Sequence, residues 1–380
     1  VGQRFLVPRV GVRILSPEPM SVSAIVLAAG EGTRMKSSRP KPLHLICGRA
    51  MVLHVIHALE AVHPERTAIV VGHGAEQVTK KVQQLSPQWA NVAFVEQREQ
   101  NGTGDAAAIG MTALSGDDYD DESTILVLPG DTPLLRPETL RELVDVHVEC
   151  GNAATLLTSV MENPTGYGRV IRKADGQADR IVEHRDAAPD ELDVKEVCTS
   201  IYAFRRDLLG PALRKLTTDN AQGEYYLTDV VSVLGAMGHR IGCVQAPEGE
   251  TQGVNDRWQL ALAERELRAR TNKFWLLSGV TMLDPRQTFV DVTVTIGRDV
   301  TLYPGTILQG TTAIGDGCDI GPDTRLDDCA VGSGAVVEHT VGHDAEIGPD
   351  AVVGPYAHLP VGSSVAAGAT TGAFYTAPVG

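Results

Sequence analysis

The sequence is poor in aromatic residues, which make up only 4% of 380 positions. Its cores must therefore be built from Val, Ile, Leu and Ala, which suits strands and small-residue helices. Basic residues are also scarce: 33 Lys and Arg stand against 48 Asp and Glu, a formal charge of −15. That balance excludes a nucleic-acid backbone or an anionic membrane as the main partner, and any anionic ligand must be met by a local cationic pocket. No CxxC pair occurs among Cys47, Cys150, Cys198, Cys243, Cys318 and Cys329. This argues against a zinc site or a disulfide framework and for reduced thiols in a cytoplasm. No apolar run is long enough to cross a membrane. Residues 1–20 mix apolar residues and Arg with prolines and lack the apolar stretch of a signal peptide. They read either as an upstream remnant ahead of a start near Met20 or as a genuine unstructured extension.

What is present is rhythm. Short β-branched runs, "SAIVLA" (23–28), "TAIVVG" (67–72), "NVAFVE" (91–96) and "TILVL" (124–128), alternate with helical stretches such as "MVLHVIHALEAV" (51–62) and "TGDAAAIGMTAL" (103–114). This predicts an α/β domain over 21–280, an open and mostly parallel sheet with helices on both faces, closed by a helix around 256–272. Ligands of such sheets sit at the carboxyl ends of the strands, so loops 29–41, 97–105 and 129–133 should share one crevice. Over 281–380 the period changes to six. Ile296, Leu302, Leu308, Ile314, Ile320 and Leu326 recur in phase, with Val300, Thr306, Thr312, Cys318 and Thr324 four residues behind the first five. The register slips between 326 and 341 and resumes at Val341, Ile347, Val353 and Leu359. One aliphatic and one small residue per hexapeptide predict a parallel β-helix of four to five coils.

The motifs carry the chemistry. "LAAGEGTRMKSSRPKPLH" (27–44) places Gly30 and Gly32 after the first strand, where bare backbone can approach a phosphate, with Arg34 and Lys41 adding charge. It is neither a Walker A loop nor GxGxxG, and by itself a GxG is also a tight turn. "VLPGDTPLL" ends the fourth strand with Asp131, a hard-cation ligand if a polyphosphate lies beside it. Asn255 in "GVNDR" offers a neutral oxygen, or a plain helix cap. In "EQREQNGTGDA", Gln97 and the turn at Gly102 and Thr103 can match a pyrimidine edge or form an ordinary loop.

In order and spacing, "LAAGEGTRM", "GTGDA", "GDTPL", "GYGRV", "IVEHRDA", "NAQGEYYLTDV" and "GVNDR", followed by hexapeptide repeats, closely resemble the bifunctional N-acetylglucosamine-1-phosphate uridylyltransferase/glucosamine-1-phosphate acetyltransferase family, GlmU. The resemblance runs from about residue 21 to about 359. It implies a Rossmann-like sugar-nucleotide pyrophosphorylase domain followed by a short left-handed β-helix. It further implies that Leu27, Ala28, Ala29 and Gly30 line the nucleotide site, and that Arg34 and Lys41 neutralise phosphates. Gln97, Gly102 and Thr103 would read the uracil of UTP. Asp131 and Asn255 would hold Mg²⁺, and Gly168, Glu183, Cys198, Tyr226 and Thr228 would contact the sugar-1-phosphate. The family's β-helix commonly mediates trimers, so a cytoplasmic homo-oligomer is expected.

Three departures qualify the resemblance. "EVCTS" puts Cys198 and Ser200 where the family pattern "EVNxG" has Asn and Gly, and a thiol is a poor substitute for an amide. "GTGDA" puts Asp105 where the family has His, near the phosphates, to repel them or join the metal site. The coil stack stops at Gly380, so the expectation is no acetyltransferase activity. Two other readings stay open: transfer from UTP or CTP to another sugar-1-phosphate or phosphonate, and a non-catalytic nucleotide-sugar binder.

Overall fold

The computed structural model describes residues 21–114 and 122–378, so the expected extension over 1–20 lies outside the described residues. A nine-stranded sheet organises the first part of the chain. Its main path runs Ile241–Gln245, Ala154–Val160, Glu196–Arg205, Thr124–Pro129, Val22–Ala28, Arg66–Val71 and Val92–Glu96, and the hairpin Arg169–Arg172 with Ala178–Val182 hangs off Glu196–Arg205. The four β-branched runs of the sequence form its parallel half. The other half is mixed, because Glu196–Arg205 runs antiparallel between Thr124–Pro129 and Ala154–Val160.

The period-2 alternation of the first strand explains its burial on both faces. Ala24 and Val26 pack into the cluster under helix Met51–Ala58, while Ile25 faces the opposite cluster with Ala106 and Ala107 of helix Thr103–Ala113. That second helix approaches closely because residue 110 is glycine: a Cβ there would lie 2.5 Å from Ile25 Cγ2. The helix is thus pinned against the sheet with its first turn at the carboxyl edge of the strands. The loops at 29–41, 97–105 and 129–133 all emerge at that edge.

Beyond residue 280 the chain forms a left-handed β-helix of three parallel sheets with five strands each. The in-phase aliphatics Leu302, Leu308, Ile320 and Leu326 are fully buried, and so are Val300, Thr306, Thr312, Cys318 and Thr324. Thr312 shows why a small hydroxyl suits that place: its Oγ1 donates to the Gln309 carbonyl at 2.7 Å and accepts from Cys329 N at 3.1 Å. One expectation needs correction. Val341 is 41% exposed, and the inward position is Gly342, paired with Leu326 and Leu359. The slip arises where five residues, not six, separate Leu326 from Val331, Val337 from Gly342 and Gly342 from Ile347. A Cβ on Gly342 would come within 3.1 Å of Leu326 Cδ2 and 3.2 Å of Cys329 Sγ, so the larger neighbours fill the space.

Helix Arg257–Leu277 joins the two parts and is longer than the sequence suggests. Its N-cap is Asp256, whose side chain accepts from Gln259 N at 2.8 Å. The helix reaches the α/β part through Glu264 to Cys47 N at 2.7 Å and Arg270 to the Leu134 carbonyl at 2.7 Å. It reaches the first coil through Asn272 to the Pro285 and Thr288 carbonyls.

Candidate active site

A crevice of about 590 Å³ opens at the carboxyl edge of the sheet. Its lining includes Leu27 to Gly30, Arg34, Lys41, Gln97, Gly102, Thr103, Asp131, Gly168, Glu183, Cys198, Tyr226, Thr228 and Asn255, while Gly32 and Asp105 stand behind it. They come from segments more than two hundred positions apart, and the sheet topology assembles them.

The cationic end is built on the first loop. Gly32 sits at φ 64°, and a Cβ there would lie 2.5 Å from Lys41 Cβ, so only glycine lets the Lys41 stem lie across the loop. A Cβ on Gly30 would meet nothing within 4 Å, which leaves a bare stretch of backbone facing open space. The Lys41 ammonium touches the Asp131 carboxylate and lies 2.8 Å from Asn255 Oδ1, which also accepts from Arg34 Nη2 at 2.9 Å. Because Asp256 takes the helix-capping role, Asn255 is free to face the crevice.

The next wall follows strand Val92–Glu96. Gln97 is buried, its N–H held by the Val71 carbonyl at 2.8 Å. The turn after it calls for glycine: a Cβ on Gly102, at φ 106°, would lie 2.6 Å from the Tyr225 carbonyl. Thr103 Oγ1 accepts from Leu227 N at 3.0 Å, tying this wall to the opposite one. Asp105, expected near the phosphates or a metal, instead accepts from Gln97 Nε2 at 2.7 Å.

The far wall carries Glu183, whose Oε1 accepts from Thr228 Oγ1 at 3.1 Å. Burial raises the Glu183 carboxyl above the usual range, the Thr228 hydrogen bond opposes this, and Asp229 and Asp186 push it further up. Gly168 keeps this carboxylate accessible, since a Cβ would stand 3.4 Å from Oε1. Tyr226 OH accepts from Gln222 Nε2 at 2.9 Å. Cys198 lines the floor but is 3% exposed, and its thiol donates to Tyr202 OH at 3.1 Å. Burial pushes that thiol up to about 12.

Sequence reasoning passed over several lining residues. Gln100, whose Nε2 donates to the Ala29 carbonyl at 3.1 Å, clips the wall that carries Gln97 to the loop that follows the first strand. Its only signal was the polar run "EQREQN". Tyr167 lay inside a quoted motif, and Arg169, 2% exposed, holds the Pro164 carbonyl at 2.7 Å and the Tyr167 carbonyl behind it.

The residues present fit a small hard cation. Asp131 and Asn255 aim a carboxylate and an amide oxygen at one point, which the Lys41 ammonium approaches. Among the described residues no cluster of three His, Cys, Asp or Glu could cage an ion. Two protein oxygens leave the remaining positions to phosphate and water, which is the Mg²⁺ pattern.

Residues 24–226 match the MobA-like NTP transferase domain. Fold and crevice together define a nucleotidyltransferase. The bifunctional protein GlmU of Streptomyces avermitilis is 47% identical over 354 residues, spanning 93% of this chain and 72% of that protein. That of Thermobifida fusca is 48% identical over 328 residues, spanning 86% and 67%, and that of Corynebacterium glutamicum is 43% identical over 362, spanning 95% and 74%. The chain belongs to the GlmU family. Among the described residues no helix is long and apolar enough to cross a membrane.

Proposed function

We propose that this chain is a Mg²⁺-dependent uridylyltransferase that joins UTP to N-acetylglucosamine-1-phosphate, yielding UDP-N-acetylglucosamine and pyrophosphate. The observation that carries this reading is the knot of Arg34, Lys41, Asp131 and Asn255 between a wall bearing an amide and bare backbone and a wall bearing a buried carboxylate and hydroxyls. A phosphate oxygen of the acceptor attacks the α-phosphorus of UTP. The bond from that phosphorus to the bridging oxygen of the β-phosphate breaks, and pyrophosphate leaves with the electron pair. The nucleophile is already ionised, so no general base is needed.

The residues act by position and charge. Arg34 and Lys41 neutralise the polyphosphate, and Gly30 admits it against the backbone. Gln97, Gly102 and Thr103 hold the uracil. Leu27, Ala28 and Ala29 support the nucleoside. Glu183 and Thr228 grip sugar hydroxyls, with Gly168 and Tyr226 shaping the pocket. Asp131 and Asn255 would hold Mg²⁺, which when bound supplies charge for the phosphates. Acetyl transfer is no part of the proposed reaction, and an acetyl-coenzyme A assay on this chain checks that. The proposed setting is cytoplasmic, as a homo-oligomer and specifically a trimer through the coil stack, where the short side chains of Ala313 and Ala330 stand side by side on one exposed face. Light scattering tests it.

One observation favours a second acceptor. The Cys198 thiol spends its proton on Tyr202, so the floor offers the sugar no amide, and another sugar-1-phosphate or a phosphonate could fit better. Pyrophosphate release with UTP or CTP across a panel of acceptors distinguishes the two readings.

A further inference from the structure

The turn "GTGDA" gives Asp105 an unexpected partner. Its Oδ2 accepts from Gln97 Nε2 at 2.7 Å, and the Gly102 carbonyl accepts from the same nitrogen at 3.2 Å. A carboxylate oxygen and a carbonyl can only accept, so chemistry dictates which end of the amide they hold. It is the nitrogen, and both of its hydrogens are engaged. Gln97 is 4% exposed and lines the crevice, and its Oε1 has no partner among the described residues. The amide therefore shows the crevice an acceptor and no donor. Beside it, the N–H of Gly102 also has no acceptor among the described residues.

We propose that Asp105 is a positioning residue that locks the Gln97 amide with its oxygen toward the crevice and thereby makes the nucleotide site prefer uracil to cytosine. The inference rests on the nucleotide site proposed above. Uracil presents an N3–H donor beside a carbonyl acceptor, which complements Gln97 Oε1 and the Gly102 N–H. Cytosine presents a bare ring nitrogen beside an amino group, so each group meets its like. An untethered glutamine escapes this conflict by turning its amide half a revolution, and neither Asp105 nor the Gly102 carbonyl tolerates that turn. Asp105→Asn removes half of the constraint, because its amide can accept or donate.

The test compares kcat/KM for UTP and CTP in the unmodified 380-residue chain and in Asp105→Asn and Asp105→Ala, with melting temperature as the folding control. The unmodified chain should prefer UTP, and the UTP-to-CTP ratio should fall by about tenfold to a hundredfold in Asp105→Asn. The change should lie mainly in KM for the nucleotide, while KM for the sugar-1-phosphate holds. If Asp105→Asn does not fold, Asp105→Ala reads the same ratio. A clear UTP preference that both variants keep overturns the proposal and leaves the nucleotide reading intact. Failure of the unmodified chain to use or bind either nucleotide overturns both.

Discussion

Lys41 Nζ lies 2.8 Å from Asn255 Oδ1 and in contact with the Asp131 carboxylate. Three segments far apart in the chain thus meet at one half-buried point, where a cation already balances two oxygens. The contact places one ammonium beside a carboxylate and an amide oxygen at the same end of the crevice.

Asp131→Ala should lower the rate of pyrophosphate release by about a hundredfold or more, because an electrostatic contact made at the reacting phosphates is lost. The melting temperature should change little, since the Asp131 side chain is 24% exposed and a partly solvated ion pair contributes about 1 kcal/mol or less. Stopped-rate assays beside a thermal melt check both halves. Unchanged turnover removes Asp131 from the site.

Glu183→Gln should separate binding from stability. Burial raises the folded carboxyl above its unfolded value, so the folded state binds the proton more tightly, and stability gains as pH falls through the folded pKa toward the unfolded one. Removing the charge should therefore raise the melting temperature at neutral pH while raising KM for the acceptor by about tenfold. In the unmodified chain, KM for the acceptor should rise as the pH is lowered through the folded pKa. A flat KM profile contradicts the role given to this carboxylate.

Ser200→Gly should stabilise the protein. Ser200 sits at φ 61° in the bulge of strand Glu196–Arg205, where a side chain costs about 1 kcal/mol and glycine avoids it. Chemical denaturation should show a gain of about that size. A loss would mean that the Ser200 hydroxyl compensates for the backbone.

The cysteines should divide sharply in native alkylation at neutral pH followed by mass spectrometry. Cys150 is exposed and should label first. Cys198 is buried and pushed up to about 12, Cys243 is pushed up to about 11, and burial beside Glu264 pushes Cys47 up further. These three should label only after unfolding. Fast labelling of Cys198 would place it at an open wall of the crevice.

Much of this was legible because two periodicities dominate the chain. The β-branched runs marked the parallel half of the sheet, and the six-residue phase from Ile296 to Leu326 marked the coil stack. The candidate residues were found through motif order, and the fold brings them to one crevice. What escaped depends on contacts that no local pattern encodes. The antiparallel insertion of Glu196–Arg205 is decided by pairing with strands roughly forty and eighty positions away. Gly342 took the inward place because three turns each lost a residue, and the neighbouring Val341 carried the louder signal. Asp105 looked like a phosphate-side charge, yet the first turn of its helix aims it at Gln97.

The proposed reaction is nucleotidyl transfer at the Lys41, Asp131 and Asn255 end of the crevice. Its most direct test is pyrophosphate release with Mg²⁺ and UTP or CTP across sugar-1-phosphates and phosphonates that include N-acetylglucosamine-1-phosphate. Metal-dependent release with UTP and that sugar is the expected result. No release with any pair would contradict it.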